Sequence, residues 1–80
     1  MSKPFLTAQQ ITDDVQNLVN QIEEVVEDNA HVLVGTAYWH ELDADGCNWN
    51  IKTIQNGASY AKEILNIIEA LRLKVNIIEP

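Results

Sequence analysis

The apolar residues of this chain change their period three times, and that rhythm limits the folds open to it. Ile11, Val15, Leu18, Ile22 and Val25 recur at spacings of four and three, with Val19 and Val26 widening the stripe. That spacing marks one face of a helix. From His31 to Leu42 the sequence is rich in Val, Thr, Tyr and Trp. From Cys47 to Gln55 it alternates, with Cys47, Trp49 and Ile51 against Asn48, Asn50 and Lys52. A period of two is that of a pleated strand with one buried face. Helical spacing returns in Tyr60, Ile64, Ile67, Ile68 and Leu71. Leu73, Val75 and Ile77 then alternate with Lys74 and Asn76.

Boundary signals agree with these changes of period. Thr7 with Gln10 three residues on forms a capping box, and Leu6 and Ile11 stand at the hydrophobic staple positions. The spacing predicts a first helix from Thr7 to Asp28, broken at Asn29-Ala30. Asp43-Ala44-Asp45-Gly46 predicts a type I turn with a glycine bulge, closing a β-hairpin of His31–Leu42 and Cys47–Gln55. Asn56-Gly57 marks the next turn, and Ser59 is the expected cap of a second helix running to Leu71. Leu73–Glu79 reads as a third strand. Continuation of the second helix through it stays open, since no helix breaker lies between Leu71 and Leu73. The expected fold is α+β in the order α-β-β-α-β, two amphipathic helices packed on one face of a small antiparallel sheet.

Eighty residues make a single domain, residues 1–80. A core this small buries only about 60% of the surface of its unfolded chain. The single cysteine, Cys47, excludes an internal disulfide. Self-association is the remaining common support, so a homodimer is expected, for instance across an open edge of the sheet. No stretch approaches the roughly 20 apolar residues of a membrane span. With one thiol and no signal peptide, the expected location is the cytoplasm.

Charge excludes more than it identifies. The chain carries 12 acidic and 5 basic residues, a net charge of −7. After Lys3 no lysine or arginine occurs until Lys52, and nine acids lie between them. Direct nucleic-acid binding needs a basic footprint, and an anionic membrane would repel this surface. Neither is an expected partner.

The motifs that carry catalytic or metal chemistry are incomplete. His40, Asp43, Asp45 and Cys47 cluster at the hairpin tip, but one cysteine with one histidine falls short of a structural zinc site. Glu41-x-Asp43-x-Asp45-Gly46 resembles the start of a calcium loop, yet its twelfth position is Lys52 and strands flank it. His40 and Cys47 offer a base and a nucleophile without a third group to orient them. No phosphate-cradling glycine loop or nucleophile elbow is present. No catalytic residue, metal or cofactor is expected, and the chain reads as a non-enzyme; a small enzyme with an intersubunit site ranks last.

Two surfaces remain. Adjacent Tyr38 and Trp39 must point to opposite faces of the sheet, so one joins the core and the other lies outside, where aromatics favour interfaces. The helix acids are the stronger clue. Glu23 and Glu27, and Glu24 and Asp28, are like-charge pairs four apart, each costing a few tenths of a kcal/mol. In a helix ending at Asp28 they also sit at the end where the macrodipole favours cations. On that reading Glu23→Lys with Glu27→Lys would leave the fold intact or slightly stabilised. The expected partner surface comprises Asp13, Asp14, Glu23, Glu24, Glu27 and Asp28, with Tyr38, His40, Glu41, Asp43 and Asp45 of the hairpin. It suits a basic protein partner, including one that normally holds nucleic acid. In size and charge alone, the chain is similar to small acidic inhibitors and accessory proteins of bacteria and their phages. The alternative is a structural protein that self-associates through the first helix or a sheet edge.

Overall fold

The computed structural model describes residues 3–79. The chain is α+β. Its elements are β1 (Phe5–Leu6), α1 (Ala8–Val19), α2 (Glu23–Glu27), β2 (Leu33–Val34), β3 (Tyr38–Trp39), β4 (Trp49–Asn50), β5 (Ile54–Gln55), a 3-10 turn (Ala58–Tyr60), α3 (Ala61–Arg72) and β6 (Asn76–Ile77).

The capping box at Thr7 is complete. The Gln10 N–H donates to the Thr7 hydroxyl at 3.1 Å, and the Thr7 N–H donates to Gln10 Oε1 at 2.9 Å. Such a cap contributes about 1 kcal/mol. The first helix does not reach Asp28, however. It ends at Val19, and α2 begins afresh at Glu23 after Ile22 turns extended. Burial explains the break. The residues of α1 that enter the core are Ile11, Val15 and Val19, a row at spacing four, while Leu18 remains 42% exposed. Each buried side chain of that row contributes about 1.5–3 kcal/mol. The next residue in the row is Glu23, whose carboxylate a continued helix would carry towards the core. The turn at Asn20–Ile22 moves Glu23 outward and returns Val25 to the core, 3% exposed.

The hairpin forms as its alternation predicts, with one added device. Leu33 faces Gln55 and Val34 faces Ile54; Tyr38 faces Asn50 and Trp39 faces Trp49. These pairs share one register, so β2–β5 and β3–β4 are two segments of one hairpin. Between them residues 35–37 and 51–53 slip the alternation by one on both strands at once. Inward residues are even-numbered at Val34 and Ile54, and odd-numbered at Trp39 and Trp49. The strands approach closely there: the Gly35 N–H donates to the Thr53 carbonyl at 2.7 Å, and a Cβ at Gly35 would meet that same oxygen at 2.7 Å. At the tip, Gly46 takes a φ of +75° and its N–H donates to the Asp43 carbonyl at 3.0 Å. This is the turn that Asp43–Gly46 encodes.

Side chains complete the edges of this hairpin. The Gln16 amide donates to the Val32 carbonyl at 2.8 Å and accepts from the Val34 N–H at 2.9 Å, while Thr12 Oγ1 accepts from the Ala37 N–H at 2.9 Å. On the opposite strand, Arg72 Nε donates to the Trp49 carbonyl at 2.9 Å. Edges expected to be open for a second copy are therefore partly engaged within the chain.

The second helix follows its expected face: Tyr60, Ile64 and Ile68 are buried, and Lys62, Glu63, Asn66 and Glu69 are exposed. It enters through the 3-10 turn, and Ser59 makes no capping bond. The C-terminal strand exists but is shorter than Leu73–Glu79, and it is not the third strand of an antiparallel sheet. β6 runs parallel to β1, with the Asn76 N–H on the Pro4 carbonyl and the Ile78 N–H on the Leu6 carbonyl. Its link to the hairpin is made by side chains. Asn48 Nδ2 donates to the Ile77 carbonyl at 3.0 Å, its Oδ1 accepts from the Ile77 N–H at 2.8 Å, and the Trp49 indole donates to the Val75 carbonyl at 3.0 Å. One core joins every layer, from Ile11 and Val15 through Val32, Trp49 and Ile64 to Ile77.

Candidate functional site

Exposed acids gather on α1 and α2 and on Asp28, the residue that ends α2. Asp13 and Asp14 lie on the outer face of α1, and Glu23, Glu24, Glu27 and Asp28 are all exposed. No lysine or arginine occurs in either helix. Among the described residues, Asp13, Asp14, Glu23, Glu24, Glu27 and Glu41 have no ion-pair partner. The break at Asn20–Ile22 corrects one part of the electrostatic expectation. Glu23 and Glu24 occupy the first turn of a new helix rather than the last turns of a long one. Carboxylates there suit the exposed N–H groups instead of opposing them. The repulsion between Glu23 and Glu27 remains, as does the unfavourable end position of Glu27. Glu23→Lys is therefore no longer a change that relieves the dipole.

Asp28 has an internal role that its spacing did not reveal. Its Oδ2 accepts a 2.6 Å bond from the Tyr60 hydroxyl. That bond, with the charge beside it, holds the Tyr60 phenol above its ordinary 10.0. Asp28 thus ties the end of α2 to the start of α3.

The hairpin tip is organised around Asp43 and Arg72. Asp43 Oδ1 accepts from the Asp45 N–H at 2.9 Å and the Cys47 N–H at 3.1 Å, and its other oxygen accepts from Arg72 Nη2. The Cys47 backbone bond, then Arg72 and the Asp45 backbone, outweigh partial burial and hold the Asp43 carboxyl below its usual 3.8. Asp45 stands 3.9 Å from Arg72 Nη1. Lys3 Nζ donates to the Gly46 and Arg72 carbonyls at 2.8 Å each, joining the tip to the end of α3. His40 Nε2 lies 3.9 Å from Asp43, and its Nδ1 is 2.6 Å from the Glu41 carbonyl. Cys47 is fully buried with Sγ 3.5 Å from the Trp49 carbonyl. Among the described residues no three histidine, cysteine or acidic side chains converge as metal ligands.

Trp39 takes the inward place opposite Trp49 and packs on the core, and Tyr38 lies on the outer face. There its ring centroid is 6.1 Å from that of His40, and Lys52 Nζ sits 4.9 Å above it. The expected partner-binding residues therefore fall into two groups. Asp28 is anchored at Tyr60 and Asp43 at Arg72, the two ends of α3, about 18 Å apart at 1.5 Å per residue. Arg72, Gln16, Thr12 and Asn48 organise this structure, yet no sequence pattern singled them out; polar residues beside an apolar stripe read as solvated.

The chain matches no protein-family model, no curated protein and no solved structure. No helix among the described residues is long and apolar enough to cross a membrane.

Proposed function

We propose that the protein is a small cytoplasmic binding module whose acidic α1–α2 surface occupies a basic site on another protein, as an inhibitor or regulator would. One observation carries the reading. Five exposed carboxylates, Asp13, Asp14, Glu23, Glu24 and Glu27, stand on two consecutive helices with no cation partner among the described residues. A surface of one sign steers a partner of the other and weakens with salt. Asp28 and Asp43 support the surface from within, so the binding charge rests on those five, with Glu41 and Asp45 a second and smaller group. A partner that normally holds nucleic acid presents the complementary field, and DNA would compete for it.

The test is capture of cytosolic proteins on the immobilised chain at low salt, with and without duplex DNA. Asp14→Lys with Glu27→Lys alters only exposed positions and leaves the first turn of α2 intact. Its circular dichroism should match the parent, and it should retain none of the salt-eluted, DNA-competed protein. Equal capture by the two forms would remove the acidic surface from consideration and favour self-association, measured as concentration-dependent sedimentation.

A further inference from the structure

We infer that the groove between β4–β5 and α3 is a binding site for a small amphiphilic carboxylate, a free acid carrying a straight apolar chain. Ile51, Ile54, Ile64, Leu65 and Ile68 line it, together with Gly57, Ala58 and Ala61, and its volume is about 450 Å³. That volume falls within the range of small-molecule sites, which are mostly apolar with a few placed polar groups. The small residues keep it open. A Cβ at Gly57 would already lie 2.6 Å from Ile54 Cγ2 and 3.0 Å from Ile64 Cδ1. Leu65 stays 54% exposed on its wall.

The polar groups of the groove are donors, and they set the sign of the ligand. In a chain with 12 acidic residues, no acidic residue lines this groove; its polar lining residues are Asn50 and Lys52. Asn50 Oδ1 accepts from the Ile51 N–H at 2.9 Å, so its amino group is the end left to donate. Lys52 has no carboxylate partner among the described residues and rests over the Tyr38 ring. An apolar cleft with an amide donor and a lysine at its rim that has no carboxylate partner complements a carboxylate head on a hydrocarbon chain, the ammonium leaving the Tyr38 ring to meet it. The site shares no residue with the acidic surface, so the two proposals stand or fall separately.

The experiment is a titration of the 15N-labelled chain with hexanoate, octanoate and decanoate below their micelle concentrations, with decanol and decylamine as matched controls. Amide shifts should centre on Ile51, Ile54, Ala58, Ala61 and Leu65, and affinity should rise roughly fourfold per methylene. Decanoate should bind more tightly than decanol, and decylamine most weakly. Lys52→Gln should weaken decanoate by about two- to fivefold, the range of an exposed ion pair, and leave decanol unchanged. Ala61→Phe, also at an exposed position, should abolish binding of both, with a native-like reference spectrum for each variant. Decylamine binding as tightly as decanoate, affinity independent of chain length, or shifts centred elsewhere would overturn the proposal. So would a ligand-free dimer whose interface is these same residues, since a second copy would then fill the groove.

Discussion

Replacing Asn48 with alanine should loosen the C-terminal strand from the hairpin, leaving the Trp49 indole bond to the Val75 carbonyl as its remaining polar link among the described residues. Asn48 is 9% exposed, and its amide exchanges two hydrogen bonds with the backbone of Ile77, at 3.0 and 2.8 Å. No β-ladder joins β6 to the hairpin, so this side chain takes the place of a neighbouring strand. Its removal leaves the Ile77 N–H and carbonyl without partners. Each buried group left unpaired costs about 1–3 kcal/mol. Because β6 can lift towards water, the lower part of that range applies, about 2–4 kcal/mol for the pair. A domain of this length has a total stability of about 4–12 kcal/mol, so the loss is a large fraction of it. At about 4–8 °C per kcal/mol, Tm should fall by roughly 8–32 °C. Urea melts followed by tryptophan fluorescence measure the energy, and hydrogen exchange at the Ile77 amide locates it. Asn50→Ala is the control; the Asn50 side chain bonds only to the N–H of the following residue, and the change should cost less than about 1 kcal/mol. If Asn48→Ala stays within about 0.5 kcal/mol of the parent and Ile77 remains protected, the argument that side chains hold this strand is wrong.

Three further outcomes follow from single contacts. Gly35→Ala should destabilise by about 1–3 kcal/mol in urea melts, since its Cβ has no room beside the Thr53 carbonyl. Asp43 has a folded pKa below its ordinary 3.8, so its contribution to stability is present above that value and is lost as pH falls through the lowered one. Asp43→Asn should flatten the acid limb of the stability–pH curve; an unchanged limb would refute this. Tyr60 has a folded pKa above 10.0, so its contribution is present below that value and is lost as pH rises through the raised one. Tyr60→Phe should flatten the alkaline limb, measured by thermal melts from pH 8 to 11.

The sequence by itself determined what depends on near neighbours. The capping box of Thr7 and Gln10, the Asp43–Gly46 turn and the buried face of α3 are set by residues a few positions apart, and all are legible in period and turn chemistry. The acidic character of residues 13–28 is equally local. Tertiary structure decided the rest, because those choices compare distant groups. The apolar residues of the first helix allowed two rows, and only packing selected Ile11, Val15 and Val19, breaking the helix before Glu23 and reversing the dipole argument for Glu23 and Glu24. Leu73–Glu79 has the period of a strand, but period carries no information about the partner. β1, a two-residue element too short to show any alternation, took that place. Gln16, Thr12, Asn48 and Arg72 look like solvated polar residues in sequence. They became structural because the backbone groups they serve lie up to 29 residues away, and an unmet backbone bond in a small core costs more than ordering a side chain to meet it.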